Sequence, residues 1–374
     1  MKVIVAGDFA SRGRLSDLIE NKQYSDIFTE DLCNLVNSAD FSFVNFEAPV
    51  VENSSAPIIK CGPNLKCTQN SIEAVKYAGF TGVTMANNHI LDYGSRGLYS
   101  TLEFCTKHGL SVVGAGDNIK TAEKPLYLVK NNEKIAIINC CENEFSVADD
   151  NKAGANPLNP ISQYYSIQEA KKEADYVLVI VHGGHEYYQL PSPRMKEIYR
   201  FFIDVGADAV INHHQHCYSG YEFYKGKPIF YGLGNFCFDK VPFEQETSWN
   251  YGYMVELIFD KTISFKLYPY IQCGLIPGVQ MLPSNAFEAS ISHLNSIILS
   301  DELLKSTFDD YCIKSVNSEL RVLEPYSRRI TVKLFSIGLL PKFIKRSKVL
   351  QILNHVKCEA HRDKLIFALQ QNLK

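Results

Sequence analysis

Short apolar, β-branched runs bounded by turn residues recur along the first two thirds of the chain, alternating with segments of helical period, and this alternation narrows the fold more than any other feature. Strands are expected near 2–6, 41–46, 82–85, 111–114, 134–140, 176–181, 208–211 and 228–231. Helices are expected over Asp26–Val36, Asn70–Ala78, Ser95–Lys107, Ile167–Lys172 and Ser192–Val205, with Asn156–Pro160 as a loop. Such a pattern calls for an α/β architecture with buried strands. Beyond Gly234, Tyr253–Asp260 and Thr262–Tyr270 read as a hairpin around Asp260-Lys261, Ile271–Met281 as a further strand, and the chain from Asn285 onward as helical.

The polar residues sit where the strands end. Asp8 follows the first strand, Asn45 and Glu47 close the second, and Asn87-Asn88-His89 follows the third. His182 follows strand 176–181 and His213-His214-Gln215-His216 follows strand 208–211. In α/β sheets the carboxyl edge is where ligands bind, so residues far apart in the chain are expected to converge on one rim. Six of the ten histidines fall at three of these strand ends, whereas His108, His293, His355 and His361 stand alone and read as ordinary surface or core residues.

The donor types define the chemistry. Asp8, Glu47, Asn88, His182, His214 and His216 form a mixed oxygen and nitrogen set without thiolate, which suits one or two divalent ions such as Mn²⁺, Fe²⁺ or Zn²⁺. Two ions about 3.5–4 Å apart can share one carboxylate, and Glu47 is the expected bridge. His214 and His216, two residues apart on an extended segment, are expected to point the same way, with His213 behind them. His89, oriented by Asp92, is the candidate general acid. His185 and Glu186 would extend the pocket or orient His182, and Gly183-Gly184 permits close backbone approach.

Composition excludes some functions. With 38 Lys+Arg against 41 Asp+Glu, the chain lacks the basic signature of a nucleic-acid binder. The balance is uneven: from Pro325 to Lys374 there are 11 Lys+Arg and 2 Asp+Glu, a formal +9, leaving 27 against 39, or −12, for residues 1–324. Eleven scattered cysteines with no CxxC framework read as reduced core thiols, and Cys61 and Cys67 as neither a disulfide nor a zinc set. Met1-Lys2 runs into only four small apolar residues, short of the roughly 7–15 of a signal peptide, and no run reaches the roughly 18 of a membrane helix. A cytoplasmic protein, free or peripherally attached to the membrane, is expected.

The series Gly7-Asp8, Asn45-Phe46-Glu47, Asn87-Asn88-His89 with Asp92, His182-Gly183-Gly184-His185-Glu186, His213-His214-Gln215-His216 and Tyr231-Gly232-Leu233-Gly234-Asn235-Phe236 resembles the CapA family. These are bacterial capsule-synthesis proteins of the poly-γ-glutamate type, with a domain similar to calcineurin-like metallophosphoesterases. The resemblance runs in order from residue 1 to about 240 and is taken to continue to about 282. It implies a four-layer αββα sandwich over 1–282, followed by a basic helical C-terminal region over 283–374. It also implies Asp8, Glu47, Asn88, His182, His214 and His216 as metal ligands, His89 as the acid near the leaving group, and a Gly234-Asn235-Phe236 turn with Asn235 facing the substrate. Departures are Gly183, Asn212 and Gln215, where the family commonly has Trp, Gly and Pro. At Ala10 the wider superfamily has His, which leaves one metal subsite a ligand short.

In the C-terminal region, Arg328–Arg346 mixes basic clusters with apolar residues. A helical cap on the acidic body is the favoured reading, because Gly338 and Pro341 interrupt the apolar face; peripheral contact of 325–374 with an anionic membrane is the alternative. For the whole chain, the first reading is a metal-dependent hydrolase of phosphoesterase type, acting on a small-molecule or polymer substrate with capsule-synthesis machinery as partner. The alternatives are a non-catalytic accessory subunit of a synthesis or export complex, and a metal-dependent hydrolase of γ-glutamyl amides.

Overall fold

The computed structural model describes residues 1–51, 55–321, 323–326 and 329–357, together with 361, 365 and 369; of the residues named above, Arg328 and Lys374 lie outside this set. In chain order the strands are β1 (Lys2–Ala10), β2 (Phe41–Phe46), β3 (Gly82–Thr84), β4 (Ser111–Val113), β5 (Ala115–Gly116), β6 (Leu126–Lys130), β7 (Glu133–Cys141) and β8 (Gly154–Ala155). They continue with β9 (Tyr176–His182), β10 (Ala209–His213), β11 (Tyr221–Tyr224), β12 (Lys227–Phe230), β13 (Asn235–Phe238), β14 (Tyr251–Ile258), β15 (Ser264–Gln272) and β16 (Val279–Met281).

Two large sheets result. One runs β16-β15-β14-β1-β2-β3-β4 with β13 also paired to β1; the other runs β11-β12-β10-β9-β7-β6. β1 to β4 are parallel, as are β7, β9, β10 and β12, so each sheet presents the carboxyl ends of its central strands along one edge. The two faces of β1 show how the layers stack. Val3 and Val5 belong to a buried cluster with Ile137, Val179 and Ile211 of the second sheet, so the sheets pack face to face. Ile4 and Ala6, one residue out of phase, belong instead to a cluster with Leu32, Val36, Ile72, Val75 and Leu98 from the helices Glu30–Asn37, Gln69–Tyr77 and Gly94–Lys107. The far side of the second sheet is covered by Pro160–Glu173 and Pro193–Asp204 through Ile167, Ala170, Tyr199 and Phe202. Period-two alternation with both faces apolar thus produces the αββα sandwich.

Several elements differ from the sequence reading. The expected helix Asp26–Val36 is two helices, Tyr24–Ile27 and Glu30–Asn37, because Phe28 is extended, bridges to Val279 and stacks on Phe236 at 5.9 Å between centroids. The helix expected over Ile167–Lys172 begins at Pro160, where the Asn159 side chain accepts from the Ile161 and Ser162 N–H groups. Asn-Pro is thus a helix start and not part of a loop. The expected Gly234-Asn235-Phe236 turn is the entry to β13, pairing in parallel with β1 so that Asn235 stands opposite Asp8.

The chain divides into compact units Met1–Lys305 and Ser306–Lys374. The line drawn after residue 282 from sequence followed the end of the family resemblance. The helix Glu288–Leu299 beyond it lies within the first unit, burying Ile291, Leu294 and Ile298 and accepting from the Tyr221 N–H at Asn295 Oδ1, 2.7 Å. In the second unit, Tyr326 packs on Phe335 and Phe343, while Ile330, Ile337, Leu339, Leu350 and Leu353 are exposed. None of the described helices is long and apolar enough to cross a membrane.

Candidate metal centre

The centre is built where β1 and β13 touch. Gly7 makes this possible: a Cβ there would lie 1.8 Å from the Gly234 carbonyl oxygen. Asp8, its N–H bonded to that oxygen at 3.2 Å, is fully buried between the sheets. Glu47 is one residue past β2 and is held by its N–H on the Phe9 carbonyl at 2.9 Å. His182 is the last residue of β9, and His214 and His216 follow the last residue of β10.

These side chains form two sets of donor atoms, Glu47 with His182 and His214, and Asp8 with Glu47 and His216, each set lying within 4.8 Å. Glu47 belongs to both, the place expected of a bridge. His182 Nε2 is 3.4 Å and His216 Nε2 3.8 Å from its Oε1. Both Glu47 oxygens are buried without a hydrogen-bond partner, which for a carboxylate is costly unless a cation completes the site. Asn88 Oδ1 lies 3.1 Å from His182 Nε2, in position to join the first set. The residues present therefore fit one or two divalent ions bound through oxygen and imidazole nitrogen.

Electrostatics favours the same occupant. Burial pushes the Asp8 carboxyl up to about 7, against the bonds it accepts from Asn45 and the His214 N–H. Burial, and then the neighbouring Asp8, raise Glu47 well above the carboxylate range. Burial lowers His182 and His214, and takes His213 and His216 down to about 3. Imidazoles held neutral are ready ligands, and carboxyls resisting ionisation gain most from a nearby positive ion.

His214 and His216 do not reach the site by extended alternation. Both adopt positive φ, 91° and 56°, and the resulting twist sends their rings to different ligand sets, with centroids 6.1 Å apart. Non-glycine residues in this region are held by their surroundings. The His214 N–H is fixed by Asp8 Oδ2 at 3.2 Å, and His216 Nδ1 by Asn235 Oδ1 at 2.8 Å. Asn235 is fully buried and spends its amide nitrogen on the His216 and Trp249 carbonyls, so it positions His216 from behind. His213 is buried outside both sets, with Nδ1 3.5 Å from Asp8 Oδ1.

His89 Nδ1 is 2.6 Å from Asp92 Oδ2, the pairing expected from sequence. His185 is half-buried and stacks edge-on with Tyr188, and Glu186 is exposed; neither bonds His182. His182 Nδ1 instead faces Asn45 Nδ2 at 3.2 Å, and the same amide donates to Asp8 Oδ1 at 2.8 Å. The departures Asn212 and Gln215 knit the rim together: Asn212 donates to the Gly183 and Tyr231 carbonyls, and Gln215 to those of Tyr188 and Leu190.

Three contributors escaped sequence reading. Asn45 stood in the right place at a strand end, and the rim argument could have given it a role. Glu144 meets Asn88 Nδ2 at 3.2 Å and His214 Nε2 at 3.8 Å. Lys60, its side chain 2% exposed, ion-pairs with Asp92 Oδ1 and lies 3.2 Å from His89 Nδ1. It sits in a loop without periodicity, and only tertiary contact brings it here. The loop wraps Asp92, whose Oδ2 accepts from the Leu65 N–H at 2.6 Å and whose carbonyl accepts from the Ile58 N–H at 2.9 Å.

A family model described as bacterial capsule synthesis protein PGA_cap matches residues 2–240. The capsule biosynthesis protein CapA of Bacillus anthracis is 31% identical over 248 residues, covering 64% of this chain and 60% of that protein. The PGA biosynthesis protein CapA of Bacillus subtilis is 33% identical over 231 residues, covering 61% of each. This chain thus spans about 60% of the length of these relatives. Among solved structures, a putative 5'-nucleotidase from Staphylococcus aureus, in complex with alpha-ketoglutarate, is similar at 15% identity and a TM-score of 0.45, covering 79% of this chain and 57% of that one.

Proposed function

Because the chain belongs to the bacterial capsule synthesis protein PGA_cap family, we propose that it is a metal-dependent hydrolase of phosphoesterase type that serves the biosynthesis of a capsule polymer, with the capsule-synthesis machinery as its partner. The observation that carries this reading is Glu47, shared by two donor sets and buried with neither oxygen hydrogen-bonded.

Asp8, Glu47 and His216 would hold one ion, and Glu47, Asn88, His182 and His214 a second. Ions held there would polarise an ester and supply a nucleophile from solvent at neutral pH. The residues of the chain do the rest. Asn45 fixes Asp8 and His182, and Asn235 turns His216 so that Nε2 faces Glu47. Asp92 holds the Nδ1–H of His89, which puts the transferable proton on Nε2 for the leaving oxygen. Lys60 neutralises the other Asp92 oxygen and keeps the pair in place.

Metal analysis of the purified protein, with turnover measured on a panel of phosphate esters and γ-glutamyl peptides for wild type, Asp8→Ala and His89→Ala, tests the reading. Bound metal with ester turnover that both variants lose is the expected result; protein that takes up no divalent ion rejects it. The accessory reading draws on Ala10, which leaves Asp8, Glu47 and His216 as a three-residue set, and bound metal without turnover on any substrate would support it. Turnover confined to the γ-glutamyl peptides would favour amide hydrolysis.

A further inference from the structure

At the end of β1, two residues past Asp8, Ala10 opens onto a cleft of about 280 Å³ that is lined also by Ser11, Arg12, Ser16, Asn64 and Lys66. Its charges distinguish it. Residues 1–324 carry a formal −12, so a cation in this body has carboxylates to spare as partners. Arg14, two residues from the cleft's arginine, shows the usual outcome: its guanidinium pairs with Asp239 and bonds the carbonyls of Cys273, Gly274 and Leu275. Arg12 and Lys66 have no carboxylate within 4.0 Å and no side-chain hydrogen bond among the described residues. Arg12 is half-buried, which makes an unpaired guanidinium there the less expected of the two.

Both walls of the cleft are tied to the metal centre. On the Arg12 side, its guanidinium carbon is 5.8 Å from the Phe238 ring centre, and that ring meets the His216 ring edge-on at 5.2 Å. On the other side, Lys66 follows Leu65, whose N–H bonds Asp92, and Asn64 Nδ2 bonds the Asp92 carbonyl at 2.9 Å. Residues lining the cleft are therefore linked, through Phe238, to the ligand His216 and, through Asn64 and Leu65, to Asp92, which pairs with His89.

We propose that Arg12 and Lys66 form an anion subsite that holds a second acidic group of the substrate, a carboxylate or a phosphate, beside the bond to be cleaved. The assignment of that group to a substrate rests on the hydrolase reading above; the anion affinity itself does not. A guanidinium and an ammonium lining one cleft match the two or three acceptor oxygens of such a group. A substrate with acidic groups at regular spacing, as in an anionic polymer, would be gripped one unit away from the ions.

Calorimetric titration of the full chain in chelator, with a tri-γ-glutamate oligomer and separately with inorganic pyrophosphate, reads the subsite without metal. The wild type is expected to bind at least one, the preferred probe identifying the acid as carboxylate or phosphate. Arg12→Gln and Lys66→Glu are each expected to weaken that binding about tenfold or more, the size of a charge-assisted hydrogen bond. Lys66 is exposed, so its variant keeps the fold whatever befalls Arg12. No binding by the wild type, or wild-type affinity retained in both variants, would overturn the subsite. A separate Mn²⁺ titration of wild type keeps the two ideas apart: failure there sinks the hydrolase reading and leaves the anion result standing.

Discussion

Asn235 Oδ1 stands 2.8 Å from His216 Nδ1, and since an amide oxygen only accepts, the imidazole must carry its proton on Nδ1 and present Nε2 to Glu47. A residue contributed by β13 therefore decides how His216, just past β10, faces Glu47. Replacing it removes three hydrogen bonds at once. Asn235→Ala is expected to lose about 10–100-fold in metal affinity and about 1–3 kcal/mol in stability, read by calorimetry with Mn²⁺ and by urea unfolding of the metal-free protein.

The histidines and the carboxyls pull the pH dependence in opposite directions. His213 and His216, with folded pKa values near 3 against about 6.5 unfolded, cost stability as pH falls below about 6.5. Asp8, raised from 3.8 to about 7, contributes stability that is fully present below its unfolded value and is lost as pH rises to about 7. With two such histidines against one such carboxyl, chelated protein should gain stability as pH rises from about 4 to about 6.5, by roughly 1.4 kcal/mol per pH unit. A divalent ion needs neutral imidazoles and ionised carboxylates, so the rise in Tm on adding Mn²⁺ should be larger at pH 7.5 than at pH 5.5. Scanning fluorimetry at the two pH values, with and without metal, checks the sign.

His89 touches neither ligand set as a donor, so its loss should spare metal binding. His89→Ala is expected to lower turnover by about 10²–10⁴-fold on alkyl phosphate esters and much less on aryl esters whose leaving oxygen needs no proton. Comparable losses on both ester types would remove His89 from the role of acid.

Lys60 compensates one oxygen of Asp92, while His89 and the Leu65 N–H satisfy the other. In Lys60→Met that first oxygen is left buried without its cation, and stability should fall by about 3 kcal/mol. Turnover should fall with little change in KM, because the loop that orients His89 loosens while the ligand sets stay intact. Steady-state kinetics beside thermal unfolding separates the two effects.

Gly7→Ala probes the contact on which the centre rests. The added methyl would collide with backbone, the Gly234 carbonyl oxygen, which no side-chain rotation relieves. A loss of about 3 kcal/mol or more is expected, by urea unfolding, with metal affinity falling in parallel as Asp8 and Asn235 move apart.

The amino-acid sequence by itself determined the strand pattern, the rim of polar residues at strand ends, and a donor set of oxygen and imidazole nitrogen. These are legible because period-two apolarity and adjacency along the chain are local properties. Phe28 and Pro160 mark where local reading failed: one residue left a helix to pair with Val279, 251 positions away, and the other began a helix that a capping asparagine had announced. Only the tertiary structure decided that Glu47 lies between two donor sets, that His214 and His216 part company, and that Asn45 and Asn235 hold members of those sets while Lys60 pairs with Asp92 beside His89. The reason is distance along the chain. The bond from the His214 N–H to Asp8 spans 206 positions and the contact of Asn45 with His182 spans 137, and no periodicity in a single sequence encodes which rotamer survives when such segments meet.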